Sequence, residues 1–267
     1  MDLAVLRDDM VDSLEHPSKG FVSSESLSAA MRTVPRHEFV EDDRLAYADR
    51  SFEHRGTRVL APSTVARLLE ALEPEPDDSV LVVGAGVGYT AAVLAEIVGE
   101  RNVHAVDITR RVVLDARSNL AEAGYEGVFV DCRDGADGLP EYAPFDRILV
   151  EAAAADPPRN LVEQLAPDGR LVIPLGTSDQ SLTVIESAER SSADSRAVSP
   201  RDEGREVGDE KGRPLGTVAF APLLVEGEQA GSIERNRTVR EDRERAERLR
   251  ERRTGWEQDW IDWDGYQ

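Results

Sequence analysis

The apolar positions of this chain change their period along its length. Leu3, Leu6, Met10 and Leu14 recur three or four residues apart, and Leu27, Ala30 and Met31 repeat that spacing after Ser24 until Pro35 stops it. The pattern predicts two amphipathic helices, which form an N-terminal helical cap over residues 1–60 and are followed by an extended stretch at 52–60. Pro62 opens a further helix through Leu69. From Val80 onward short apolar runs alternate with helical stretches. Strands are expected at 80–83, 103–106, 128–130, 147–150 and 171–174, and helices at 89–98, 112–123 and 159–165. This alternation predicts an α/β domain over residues 61–225 built on a doubly wound, mostly parallel sheet. Two later strands are expected at 182–186 and 217–224. Between them a stretch at 188–213, rich in Ser, Asp, Glu and Arg, reads as a mobile acidic insertion. Residues 226–267 read as a charged helical extension, with Glu241/Arg245 and Glu244/Arg248 at attractive helical spacing.

One junction in this pattern carries chemistry. The run Val80-Leu-Val-Val-Gly84-Ala-Gly86-Val-Gly88-Tyr89 is a strand entering three alternate glycines and then a helix. Glycines there permit a tight turn and let a ligand approach the backbone at the positive end of the helix. A dinucleotide fingerprint would place its third glycine one position later, where this chain has Tyr89, so the spacing suits S-adenosylmethionine better than a pyrophosphate. About twenty residues on, Asp107 ends the next strand, where a carboxylate can accept from both ribose hydroxyls. Asp134-Gly135 follows the third strand, in place for a hydrogen bond from the adenine amine. Asp131 is its rival, and either aspartate could instead cap a turn. The expected cofactor residues are therefore Gly84, Gly86, Gly88, Tyr89, Asp107, Asp134 and Gly135, on a fold of the class I S-adenosylmethionine-dependent methyltransferase type. Asp156-Pro157-Pro158-Arg159 is similar to a nucleic-acid amino-methyltransferase motif but has arginine at the aromatic position, and reads better as a helix start capped by Asp156.

Composition narrows the partners. The 267 residues contain 53 Asp+Glu against 32 Lys+Arg, a formal net charge of -21, which makes nucleic acid an unfavourable partner. Lys19 and Lys211 are the only lysines, and so many carboxylates with so little lysine is the composition of a surface adapted to molar salt, where screening acts over about 3 Å. Cys132 is the one cysteine, which rules out an internal disulfide and suggests a reducing, cytoplasmic setting. The start lacks the features of a secretory signal, and no apolar window is long enough to span a membrane. His37, His54, His104 and Cys132 are too scattered to suggest a metal site. Trp256, Trp260 and Trp263, at spacings of four and three, share one helical face, which either docks back on the domain or serves self-association or a partner.

The chain resembles the protein-L-isoaspartate O-methyltransferases over roughly residues 24–224. The likeness rests on Val34-Pro35-Arg36-His37-Glu38-Phe39-Val40, Ala61-Pro62, Phe145-Asp146-Arg147-Ile148, Ala152-Ala153-Ala154, Gly169-Arg170-Leu171-Val172-Ile173-Pro174 and Val218-Ala219-Phe220-Ala221-Pro222-Leu223. It implies an S-adenosylmethionine-dependent enzyme that methylates the exposed carboxylate of L-isoaspartyl residues in damaged proteins, after which the ester closes to a succinimide. By family analogy Arg58, Ala61, Pro62, Val218, Phe220 and Pro222 line the substrate groove. A carboxylate is already a nucleophile at neutral pH, so this chemistry asks for alignment and exclusion of water rather than a general base. The chain departs from the family at three points. Leu60 stands where the family has the serine placed beside the reacting carboxylate, Ser63 replaces a histidine, and Glu151 replaces a threonine. These departures leave open a diverged relative acting on another acceptor, or a non-catalytic S-adenosylmethionine-binding adaptor.

Overall fold

A computed structural model of the chain describes residues 2–43, 45–187 and 212–224. The extension at 226–267, its tryptophans, and all of the 188–213 insertion except Gly212 and Arg213 lie outside the described residues.

The cap comprises α1 (Leu3–Glu15) and α2 (Glu25–Thr33). Asp2 accepts from the Ala4 amide, Ser24 accepts from the Leu27 amide, and α2 ends ahead of Pro35, whose ring is incompatible with a continuing helix. The expected extended stretch at 52–60 is instead a hairpin, β1 (Phe52–His54) and β2 (Thr57–Val59), paired antiparallel. Arg55 and Gly56 both take positive φ in its two-residue turn. α3 (Pro62–Leu72) follows, with proline in its first turn.

Beyond α3 come β3 (Val80–Val83), α4 (Tyr89–Val98), β4 (Val103–Asp107), α5 (Arg110–Glu122), β5 (Phe129–Cys132), β6 (Phe145–Val150), α6 (Arg159–Glu163), β7 (Leu165–Leu175), β8 (Gln180–Glu186) and β9 (Arg213–Val218). They form a seven-stranded sheet in the order β5-β4-β3-β6-β7-β8-β9. The first five of these positions are joined by parallel pairings, and β7-β8 and β8-β9 are antiparallel, so the sheet is mostly parallel as its alternating pattern predicts. Strand order reverses at β3, which has β4 on one side and β6 on the other. Val80 and Val82 join one core and Leu81 and Val83 another, so both faces of the sheet are covered. Met10, Leu14, Leu27 and Met31 share a core with α3 and α4, and the cap therefore has no separate interior. α4 is buried at nine of its ten positions, with α2 packed on it.

Several expected boundaries move. α6 stops at Glu163 because Leu165 already pairs with Phe145, and β7 reaches eleven residues by passing Asp168 at positive φ. The residue at the α6 cap is Pro158, not Asp156. The last strand is Arg213–Val218 rather than 217–224, because the chain after Val218 leaves the sheet edge and bridges Ala153 through Pro222. Cys132 ends β5 and is exposed. No helix among the described residues is long and apolar enough to cross a membrane, and no cluster of three or more His, Cys, Asp or Glu there could hold a metal.

Candidate functional site

At the carboxyl ends of β3, β4 and β6, where strand order reverses, the structure opens a crevice of about 130 Å³. That is the place in which open α/β sheets take nucleotide-like ligands. Its floor is Gly84, Gly86 and Asp107, with Gly135 and Glu151 beside them.

The loop after β3 is tied down by backbone bonds. The Gly84 and Ala85 amides donate to the Val106 carbonyl at 2.8 and 3.0 Å, and Asn119 donates to the Val87 carbonyl at 3.0 Å. Asp107 accepts from the Gly86 amide at 3.3 Å through one carboxylate oxygen and from the Thr109 amide at 2.9 Å through the other. Burial raises its pKa above the usual carboxylate value, against the pull of those amides. A carboxylate has about four lone-pair directions, so Asp107 retains capacity for ligand hydroxyls.

The three glycines do different work. Gly84 and Gly86 line the crevice, whereas Gly88 faces α5, where a Cβ would lie 3.1 Å from Leu120 and 3.3 Å from the Ala116 carbonyl. With φ near +94° Gly88 also caps α4, a conformation L side chains rarely adopt. A Cβ on Gly135 would meet Val83 Cγ1 at 2.3 Å, so glycine lets this crevice wall lie against β3. Asp134 caps the short turn at Gly135–Asp137, accepting from the Ala136 amide at 2.9 Å, and does not itself line the crevice. Its rival Asp131 faces Arg117 and Arg133 at 3.7 and 3.5 Å, commitments that point it to an ion-pair cluster. Tyr89 is buried against Phe39, outside the crevice, in an adjoining recess shared with Leu60 and Arg58.

Of the residues assigned to a substrate groove, Arg58 and Pro222 line the crevice, and Ala61, Pro62, Val218 and Phe220 stand back from both crevice and recess. Pro62 and Phe220 are buried supports. Phe220 donates its amide to Gln180 Oε1 at 2.6 Å, and its carbonyl accepts from Gln180 Nε2 at 3.0 Å. This clamp aims residues 221–224 at the crevice, and no spacing in the chain marks Gln180 for it. Gln180→Leu is expected to destabilise the fold by about 1–3 kcal/mol through two unpaired backbone groups. Faster amide exchange at Phe220 and Leu223 is the readout, and unchanged exchange would refute the clamp.

Glu151, which replaces the family threonine, lies directly after β6. Its amide donates to the Val83 carbonyl at 2.8 Å, which sets it at the reversal point. The residue is partly buried, yet its Oε1 is fully enclosed with no hydrogen-bond partner. Burial pushes its carboxyl up to about 7, and Asp107 adds to the rise while Thr90 and Arg36 oppose it. An acid whose folded pKa lies above its unfolded one binds more protons when folded, so its contribution to stability falls as pH rises from about 4.5 to about 7. Glu151→Gln is expected to remove a decline of about 2–3 kcal/mol across that window. Parallel denaturant titrations of both proteins measure it, and identical pH profiles would count against the raised pKa.

The chain matches the family model described as protein-L-isoaspartate(D-aspartate) O-methyltransferase over residues 7–200. The protein-L-isoaspartate O-methyltransferase of Aeropyrum pernix is 48% identical over 184 residues, covering 66% of this chain and 70% of that protein. The one from Methanopyrus kandleri is 40% identical over 226 residues, covering 82% and 92%. Among solved structures, a Plasmodium falciparum chain described as a protein-L-isoaspartate O-methyltransferase in complex with S-adenosyl-L-homocysteine superposes with a TM-score of 0.66. It covers 81% of this chain and 97% of that one at 20% identity, a likeness of fold alone.

Proposed function

The chain belongs to the protein-L-isoaspartate O-methyltransferase family, and from that premise we infer how its crevice serves S-adenosylmethionine-dependent methylation of L-isoaspartyl residues. The observation that carries the reading is the crevice itself. A glycine-lined floor, a partly buried carboxylate at the end of β4 and a glycine wall after β5 converge at the sheet's reversal point.

In our reading Asp107 holds the ribose of S-adenosylmethionine, Gly84 and Gly86 admit it close to the backbone, and Gly135, positioned by the Asp134 turn cap, borders the adenine. When bound, the cofactor supplies a methyl group already activated on a sulfonium. The acceptor carboxylate is already anionic, so the chain's task is to align it and keep water out. Arg58, which lines both crevice and recess, is the cation available to an incoming carboxylate, and Pro222 and Leu223 shield the opposite edge. Leu60, at the family's serine position, is buried and lines the recess, so it contributes an apolar wall where the family has a hydroxyl. Sequence identity of 40–48% to proteins named for this activity disfavours the diverged-acceptor and adaptor readings.

A radiolabelled-methyl transfer assay on an isoaspartyl peptide tests this function. The expected product is base-labile and absent with the corresponding aspartyl peptide. Cofactor binding without transfer would overturn it. The assay belongs at molar salt, because we read the net charge of -21 as a halophilic adaptation of a cytoplasmic protein, and self-repulsion in dilute buffer would loosen the fold. From their spacing in the sequence alone, Trp256, Trp260 and Trp263 are read as either docking back on the domain or serving self-association or a partner. Deleting the chain after Ser232 is expected to leave cofactor affinity unchanged.

A further inference from the structure

The hairpin that carries Arg58 is small. β1 and β2 are joined by three residue pairs, and Glu53, Arg55, Gly56 and Arg58 are exposed. A two-stranded ribbon of this size is marginal in water unless something outside it holds it in place. Its base is held by packing, since Val59 is buried and Phe52 rests partly on the core. The turn is held differently, by side chains that reach across to α5.

On α5 the buried stripe is Val112, Val113, Ala116 and Leu120, and Asp115 stands beside it, partly exposed. Its Oδ2 lies 2.9 Å from His54 Nε2 and accepts from Arg55 Nε at 2.5 Å, so one carboxylate oxygen grips two successive residues of the hairpin. Slight burial works against the charge on Asp115, but the bonds to His54 and Arg55 outweigh it and hold the carboxyl below its usual pKa. His54 Nδ1 also lies 3.3 Å from Glu41 Oε1, but the Glu41 side chain is 85% exposed, and such a contact is worth little. The gripped residues directly precede Gly56, Thr57 and Arg58, which line the crevice. Arg58 itself reaches only the Ala219 carbonyl, at 3.5 Å, so its aim follows from the backbone beneath it.

We propose that Asp115 is a positioning residue for methyl transfer: by clamping His54 and Arg55 to α5 it fixes the hairpin turn, and so sets Arg58 at the crevice edge to meet the acceptor carboxylate. The inference rests on the reading of the crevice as a carboxyl-methylation site and adds to it the residue on which the acceptor side depends. Asp115 lines neither the crevice nor the recess, so what it does for the reaction it does through the hairpin. The clamp also suits a salt-rich solvent. Screening at molar salt acts over about 3 Å, and hydrogen-bonded contacts of 2.5 and 2.9 Å leave no room for an intervening ion.

The test is steady-state methylation of an isoaspartyl peptide by the full chain at molar salt, with S-adenosylhomocysteine affinity and amide exchange measured on the same proteins. Asp115→Ala is expected to raise the peptide KM about tenfold, with kcat and S-adenosylhomocysteine affinity changed by less than about threefold, because a cation aimed at the acceptor binds it equally before and during transfer. Amide exchange at Gly56, Thr57 and Arg58 should quicken. Asp115→Glu, which restores a carboxylate on the same helix face, should recover most of the KM, and Glu41→Ala should leave it unchanged. Arg58→Ala should raise the KM at least as much as Asp115→Ala, and adding Asp115→Ala to it should cost less than about twofold more, the non-additivity of residues that act through one another. Unchanged peptide KM, unchanged exchange at the hairpin, a loss of S-adenosylhomocysteine affinity equal to the loss for the peptide, or full additivity with Arg58→Ala overturns the assignment. So does an Arg58→Ala variant with normal KM where Asp115→Ala has a raised one. If the unaltered chain binds S-adenosylhomocysteine but methylates no isoaspartyl peptide, the functional reading fails and the assignment falls with it, a result distinct from any of these.

Discussion

Asp107→Ala is expected to lower affinity for S-adenosylhomocysteine by about 10²- to 10³-fold. Each hydrogen bond from a ribose hydroxyl to a carboxylate is worth about 1.5–3 kcal/mol, and two of them amount to two or three decades in affinity. The loss has a second source. Asp107 also accepts the Gly86 and Thr109 amides, so its removal frees the loop that forms the crevice floor. Asp107→Asn separates the two effects, because an amide oxygen still accepts from one backbone N–H while the charge and half of the acceptor capacity are gone. An intermediate loss is expected for it. Titration calorimetry supplies the numbers, and a change below fivefold in Asp107→Ala would remove Asp107 from the cofactor site.

Arg36→Ala is expected to destabilise the fold by about 2–6 kcal/mol, about 1–3 for each of the two buried carbonyls it leaves unpaired, and to lower the melting temperature by roughly 10 °C. The guanidinium holds the Ala46 and Leu60 carbonyls from one planar group, and so ties the cap to the chain segment that precedes α3. Truncation leaves both carbonyls buried and unpaired. Arg36→Lys should recover little, since a compact ammonium cannot reach both carbonyls in the fork geometry of a guanidinium. A denaturant melt of each variant decides. A loss under 1 kcal/mol in Arg36→Ala would mean that water replaces the guanidinium and that the residue is not a structural tie.

The order of elements was legible because each obeys a local rule. The bounds of β3 and α4 follow directly from an apolar run ending in glycines and a run of helix formers ending at Gly99. The 52–60 stretch folds as a hairpin instead of one extended run because Arg55 and Gly56 reverse it at positive φ, and of the two only Gly56 carries a turn signature. The 217–224 strand was misplaced for a different reason. Apolar residues there serve a loop pinned by Gln180, and periodicity does not distinguish a buried loop from a strand.

By itself the sequence determined the class of fold, the glycine loop, Asp107 as the carboxylate beside it, and the family, because these depend on residue type and near-neighbour spacing. Only the tertiary structure decided that Gly88 packs against α5 instead of facing the crevice, that Tyr89 turns into a recess, and that Asp134 caps a turn. It alone brought Arg36, Tyr89 and Glu151, from the cap, α4 and the end of β6, around one enclosed space. Burial and the meeting of unlike charges depend on segments more than a hundred residues apart in the chain, and a periodic pattern carries no information about which of its buried polar atoms will find a partner.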